Sequence, residues 1–220
     1  MITVLDNVLD PLELRKICDE LASAMFVDGS ITAGKSAKRV KNNEQLGSSE
    51  TGVRGTIRDA LFRHPQFKTT AFPKKVRPFL ISRYHAGMAY GTHVDNALMG
   101  KDWAHRSDIS LTLFLNSPTD YTGGELEIDS PYGPQQIKLP AGSAVLYPSS
   151  TLHRVCPVEE GERLVAVTWI QSLVKDPAQR EVLHDLVTIR RSIQNQGAES
   201  YESNLADKTY ANLLRMWADC

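Results

Sequence analysis

Between residues 76 and 170 the chain is written in short apolar runs, each cut off by glycine or proline, and no other feature restricts the fold as much. Ile109, Leu111, Leu113 and Leu115 alternate with Ser110, Thr112 and Phe114, the period-two pattern of a half-buried strand. Residues 79–84 form a second run. Tyr121-Thr122-Gly123-Gly124 is a turn into residues 125–128, and the runs at 136–139 and 144–147 end at Pro140 and Pro148. Glu159-Glu160-Gly161 reads as a hairpin tip ahead of a strand from Arg163 to Ile170. Many short strands at regular spacing predict a sandwich or barrel, and a jelly roll is the form that fits here.

Both flanks have a helical period instead. Asp10 can cap a helix, Pro11 suits its first position and Glu13 can reach back as in a capping box. Leu14, Cys18, Leu21 and Met25 then recur at helical spacing. Residues 29–52 turn polar, with Lys35, Lys38, Arg39 and Lys41 among Ser, Asn and Gly. A long surface loop is expected there, with a substrate-facing lid as the alternative. Val53, Ile57 and Leu61 predict a second helix ending near His64-Pro65. After Asp176-Pro177, Leu183, Leu186, Val187 and Ile193 make one stripe and Tyr210, Leu213, Leu214 and Trp217 another, separated by a break from Gly197 to Ser203. These predict an αα-hairpin packed on the sheet or on a second subunit. The expected fold is mainly β with flanking helices: an N-terminal helical region with a polar loop (1–75), a jelly-roll core (76–174) and a C-terminal helical part (175–220).

A net charge of −1 supplies no field to recruit nucleic acid or an anionic membrane. Cys18, Cys156 and Cys220 are too widely spaced for a disulfide framework, and a reducing compartment fits best. The first residues have neither a basic start nor a long apolar run, and no segment nears the roughly 18 apolar residues of a membrane span. A cytoplasmic location is expected.

The chemistry is concentrated in His93-x-Asp95, His153 and Arg163. Two imidazoles and one carboxylate are the facial ligand set that holds non-haem Fe(II) and leaves positions open. Residues two apart on an extended segment face the same way, so His93 and Asp95 can reach one ion while Val94 points away. His153 falls just past a strand end, where a jelly roll can return it to the first pair. Taken singly, each of these residues fits a surface or core role; the grouping is what points to a metal. By period two Arg163 shares a face with Val165, Val167 and Trp169, poor company for an unpaired cation. Either it reaches solvent or pairs with Glu160 or Glu162, or a small dicarboxylate brings the counter-charge. Tyr84 and Tyr90 can donate hydrogen bonds to such a guest or serve as structural tyrosines. Iron with a carboxylate anchor points to an oxygenase that consumes a keto acid. His64, His85, His105 and His184 match no ligand spacing. The cluster Asp102, His105, Arg106 and Asp108 lines a substrate entrance or a solvated loop. No phosphate-binding loop, dinucleotide fingerprint or nucleophile elbow is found.

Residues 83–97, which carry Tyr84, Gly87, Tyr90, His93 and Asp95, resemble the iron site of the bacterial PKHD-type hydroxylases, relatives of prolyl 4-hydroxylases. The resemblance extends through residues 110–115, Gly123-Gly124-Glu125-Leu126, Leu139-Pro140-Ala141-Gly142, residues 146–149, His153-Arg154-Val155 and Trp169-Ile170-Gln171-Ser172. Thr32-Ala33-Gly34 and Val40-Lys41-Asn42-Asn43 also match the family's N-terminal segment. It implies a double-stranded β-helix core, Fe(II), 2-oxoglutarate and O2 as co-substrates, and an ascorbate requirement. It also implies that His93, Asp95 and His153 are the iron ligands, that Arg163 holds the distal carboxylate of 2-oxoglutarate, and that Tyr84 lies against the cosubstrate. One departure is Val165, where many such oxygenases carry a hydroxyl residue. The family name implies a prolyl or lysyl side chain as acceptor, within a protein or a small molecule, and the relatives imply a link to iron homeostasis. A sensor that binds iron or 2-oxoglutarate without turnover is the alternative. A cupin-like metal protein is disfavoured by the missing His-x-His pattern. A homo-oligomer is left open.

Overall fold

A computed structural model describes residues 1–32, 37–47, 52–195 and 200–219. A short strand, β1 (Thr3–Leu5), precedes the first helix, α1 (Pro11–Ala22). The capping box is formed: the Asp10 carboxylate accepts from the backbone N–H groups of Leu12 and Glu13, and Glu13 accepts from the Asp10 N–H. The helix ends before Met25, which is exposed; Ile17 and Leu21 are the residues it buries.

The expected polar loop is partly sheet. β2 (Phe26–Asp28), β3 (Lys41–Asn42) and β4 (Glu44–Leu46) are followed by α2 (Gly52–Arg63), whose Val53, Ile57 and Leu61 are buried as their spacing predicts. Lys35 and the Ala33-Gly34 pair lie outside the described residues. A further short helix, α3 (Pro65–Ala71), follows at once, with Pro65 in its first turn. The β-rich stretch then comprises β5 (Pro73–Val76), β6 (Leu80–His85), β7 (Ala89–His93), β8 (Leu98–Met99), β9 (His105–Arg106), β10 (Ile109–Phe114), β11 (Tyr121–Gly123), β12 (Leu126–Ile128), β13 (Gln135–Ile137), β14 (Ala144–Pro148), β15 (His153–Val155) and β16 (Val158–Ser172). The helices α4 (Pro177–Asn195) and α5 (Tyr201–Trp217) end the chain.

All strand pairings given for the two main sheets are antiparallel. The larger sheet runs β1-β14-β10-β16-β6-β4-β2, with β5 and β11 also on β16; the smaller runs β13-β12-β15-β7-β3. Phe114, Val145 and Val165 of the larger sheet meet Leu126, Ile128 and Val155 of the smaller in one buried cluster, so the sheets face each other as in a jelly roll. The opposite face of the larger sheet packs on helices: Ile81, Leu111, Leu113, Leu146 and Ala166 share a core with Ile17, Leu21, Ile57, Leu61 and Phe67.

This two-sided burial corrects the reading of β10 as half-buried. Every residue from Ile109 to Phe114 is buried. Its alternation separates a helix-packed core from the space between the sheets, and that space takes Ser110, Thr112 and Phe114. Residues 159–161 likewise form no hairpin tip, because β16 runs unbroken through them. Gly161 (φ +77°) pairs with Tyr121, and a Cβ there would stand 2.2 Å from the Asp120 carbonyl oxygen, so glycine is what lets β11 close on β16.

Asp176 caps α4 by accepting from the N–H groups of Ala178 and Gln179. Ser200 caps α5, which therefore begins inside the expected break; residues 196–199 lie outside the described residues. Tyr210, Leu213, Leu214 and Trp217 pack with Leu183, Val174 and Phe72, so the hairpin seats on the end of α3 and the exit of β16. Cys18 and Cys156 are free thiols, and Cys220 lies outside the described residues. No helix among the described residues is long and apolar enough to cross a membrane.

Leu111 is 1% exposed at the centre of the larger sheet. Leu111→Ala should lower unfolding free energy by about 2–5 kcal/mol in a denaturant titration, against under about 0.5 kcal/mol for Leu12→Ala on the exposed face of α1.

Candidate metal centre

β7 and β15 are neighbours in the smaller sheet, and their register sets His93 opposite His153. That pairing brings together two residues distant in sequence. Asp95 follows two residues after His93, and ligand atoms from all three side chains lie within 4.8 Å of one another. The imidazole centroids are 4.3 Å apart, and His153 Nε2 is 3.7 Å from Asp95 Oδ2.

Each imidazole is oriented in the same way. His93 Nδ1 lies 2.9 Å from the Gly91 carbonyl oxygen, and His153 Nδ1 lies 2.9 Å from that of Thr151. A carbonyl can only accept, so Nδ1 carries the proton and Nε2 presents its lone pair to the centre. Burial, and then the neighbouring His153, pushes the His93 pKa down to about 4, which keeps the ring neutral and ready to ligate. The ring of Tyr90 stacks on His93 at 3.7 Å, and Tyr147 meets His153 edge-on at 5.0 Å. Asp95 is held from the other sheet. Ser110 Oγ donates to its Oδ2 at 2.5 Å and itself contacts Ser149 Oγ at 2.8 Å.

These groups line a cavity of about 500 Å³ between the sheets, and Arg163 lines it too. Arg163 is 1% exposed, yet Nε and Nη1 have no hydrogen-bond partner and no carboxylate pairs with it among the described residues. Glu162 turns instead to His85 and Arg83. The guanidinium stands 5.1 Å from the ring of Tyr84, its cross-strand partner on β6, and 5.6 Å from Phe114. Burial raises the Tyr84 pKa, so its hydroxyl remains a donor. Val165 is buried among apolar side chains on the same face, and no hydroxyl comes from that position.

The donor set fits a divalent first-row metal: two neutral imidazoles and a carboxylate converge, each braced by an outer hydrogen bond. The guanidinium, which pairs with no carboxylate among the described residues, fits a carboxylate guest, which would remove the several-kcal/mol cost of a buried cation without a counter-charge.

Some cavity residues escaped the sequence pattern. Ser110 is one, although its place on the inward row of an alternating strand is a signal that could have found it. Asn43, 3% exposed, and Lys41, whose pKa burial lowers to about 8, also line the cavity. Both lie in the segment expected to be a loop. In the cluster at 102–108, Asp102 is exposed, while Arg106 pairs with Asp108 at 2.7 Å and Asp108 accepts from the Ser172 N–H at 2.8 Å, tying β9 to the end of β16. His64 contacts the Asp6 carbonyl oxygen and His184 contacts Thr70, both away from the centre.

The family model of the 2OG-Fe(II) oxygenase superfamily matches residues 79–171. A PKHD-type hydroxylase of Acaryochloris marina is 51% identical over 222 residues, and one of Gloeothece citriformis is 49% identical over 221, each covering 100% of both chains. Among solved structures, a prolyl hydroxylase of Trichoplax adhaerens in complex with a hypoxia-inducible-factor peptide aligns with TM-score 0.60 and 16% identity over 77% of this chain and 82% of its own. The viral collagen prolyl hydroxylase of Paramecium bursaria Chlorella virus-1, in its 2-oxoglutarate complex, gives 0.55 and 22% over 78% and 96%. At those identities the structures attest the fold alone. Full-length identity near one half attests more: the chain belongs to the PKHD-type hydroxylases and is a hydroxylase of the Fe(II)- and 2-oxoglutarate-dependent oxygenase superfamily.

Proposed function

We propose that His93, Asp95 and His153 hold the Fe(II), and that Arg163 grips the distal carboxylate of 2-oxoglutarate with Tyr84 alongside. The observation that carries this reading is one shared cavity holding both a three-ligand cluster and a buried guanidinium without a counter-charge. Iron in such a site couples decarboxylation of the keto acid by O2 to hydroxylation of a C–H bond. The chain's own part is placement and exclusion of water. The Gly91 and Thr151 carbonyls fix the imidazole tautomers, and Ser110 keeps Asp95 from swinging away. Arg163 sets how far the keto acid reaches, so its other end meets the open face of the triad. Tyr90 and Tyr147 cover the imidazoles and keep bulk water off them.

The acceptor in this reading is a prolyl or lysyl side chain, and the physiological role belongs to iron homeostasis, both as the family resemblance implies. Ascorbate serves as the outside reductant that keeps iron ferrous. Residues 76–174 form the oxygenase domain, flanked by 1–75 and 175–220, and the enzyme works in the cytoplasm.

The deciding experiment is anaerobic addition of Fe(II) and 2-oxoglutarate, which should give a visible charge-transfer band, followed by air, which should release succinate. No band and no succinate would refute the reading. His93→Ala and His153→Ala should each lose stoichiometric iron by metal analysis; retention at wild-type level in both would remove them from the metal. Ser110→Ala should weaken iron binding by about 10-fold or more in a competition titration, since it frees the Asp95 carboxylate. Arg163→Leu should keep iron but lose 2-oxoglutarate-dependent succinate formation.

A further inference from the structure

Arg77 lines the same cavity as the metal ligands and is half-buried. Its backbone is fastened to β16: the Arg77 N–H donates to the Trp169 carbonyl oxygen at 3.0 Å, and the Arg77 carbonyl oxygen accepts from Thr168 Oγ1 at 2.7 Å. Gly100 (φ +90°) leaves space for the guanidinium, since a Cβ there would stand 2.9 Å from Arg77 Nη1. Arg83 pairs with Glu44 at 2.6 Å and Arg106 with Asp108 at 2.7 Å, whereas no carboxylate pairs with Arg77 among the described residues. The neighbouring charges that His105 feels are those of Arg77 and Lys75, both positive.

Three cations line the cavity, Lys41, Arg77 and Arg163, against one carboxylate, Asp95. In the reading above, Fe(II), Asp95, Arg163 and the 2-oxoglutarate dianion together carry no net charge. Lys41 lies in the field of Asp28 as well as Asp95. The charge of Arg77 is left over. A cation facing a cavity walled by protein attracts an anion and repels a second cation more strongly than it would in water. A lysyl ammonium is therefore a poor guest beside Arg77. The lining next to it is apolar: Trp169 is half-buried, and Leu98 and Met99 run up to Gly100. Apolar walls around one guanidinium suit a guest with an apolar body and a carboxylate.

We propose that Arg77 binds a carboxylate of the acceptor substrate, and so selects an apolar, prolyl-type acceptor beside a negative charge over a lysyl one. This names the acceptor class of the proposed oxygenase and rests on that reading. The carboxylate comes either from an acidic residue next to the acceptor in a peptide or from the acceptor's own main chain. Arg77 is a specificity-determining residue here: it touches the acceptor and neither the metal nor the cosubstrate.

The test is calorimetric titration of the Mn(II)-loaded protein, without turnover, first with 2-oxoglutarate and then with matched probes. Acetyl-Asp-Pro-Gly-amide carries the carboxylate on a neighbour, and acetyl-Asn-Pro-Gly-amide and acetyl-Lys-Pro-Gly-amide replace it by a neutral or a positive group. Acetylproline carries it on the ring residue itself, with acetylprolinamide as its neutral match. At least one carboxylate probe should bind roughly tenfold more tightly than its neutral match, the worth of a hydrogen bond to a charged group, and the lysyl peptide should bind most weakly. The pair that shows the difference identifies the source of the carboxylate. Arg77→Gln should abolish the difference and Arg77→Lys should keep part of it. Both variants should bind 2-oxoglutarate with the wild-type Kd, which also shows that they are folded. Equal binding of charged and neutral probes, no binding of either carboxylate probe, or a preference that survives in Arg77→Gln overturns the proposal. So does a raised 2-oxoglutarate Kd in Arg77→Gln, which would give Arg77 to the cosubstrate. If the wild type itself does not bind 2-oxoglutarate, the underlying oxygenase reading fails at the first titration, before any probe is added.

Discussion

The site depends on the register in which β7 meets β15. Side chains alternate across a strand, so a slip of one residue would turn His93 or His153 to the other face of the smaller sheet and break the cluster. The register is fixed by what lies around it. β12 holds β15 from the far side with Ile128 opposite His153, and Ile128 and Val155 are buried in the inter-sheet cluster. A slip would expose those apolar side chains together with displacing the ligands. Packing and ligand geometry are therefore enforced by the same contacts.

The second support is the two-faced strand β10. Leu111 and Leu113 bind it to the helix-packed core, while Ser110 on its other face reaches Asp95 across the gap between sheets. A serine at the end of a rigid, fully buried strand has little freedom, and the carboxylate it holds inherits that constraint. β16 repeats the device. Leu164 and Ala166 face the helices, and Arg163 and Val167 face the cavity.

This explains what the written sequence could reveal. The metal-type residues were legible because His93-x-Asp95 and the strand pattern around His153 follow local rules, and the family resemblance tied them to Arg163. The capped helix starts at Asp10 and Asp176 were legible because caps are local chemistry. The burial of β10 was misread because alternation reports two different surroundings without saying whether either is solvent. The strands at Lys41–Asn42 and Glu44–Leu46 were missed because they are short and polar: their order comes from β7 and β6, to which they pair, and not from their own propensity. The same tertiary origin hid Asn43 and Lys41. Gly161 looked like a turn because a positive φ serves a hairpin tip and a close strand approach equally well.

The remaining tension is energetic. Arg163 keeps Nε and Nη1 without an acceptor among the described residues, and a buried donor left unpaired opposes folding by about 1–3 kcal/mol, more for a charge. A fold tolerates this when the surrounding packing over-determines the position. Here the other face of β16 is fastened to the helical core, and one side is clamped by β6 and the other by β10. Arg163 is 1% exposed and lines the cavity, so its guanidinium does not reach bulk solvent. In the proposed reading, a dicarboxylate entering the cavity would gain those hydrogen bonds with little ordering cost on the protein side. The rigidity that makes an unpaired guanidinium costly is thus the same property that, in the proposed reading, would orient a keto acid toward the triad.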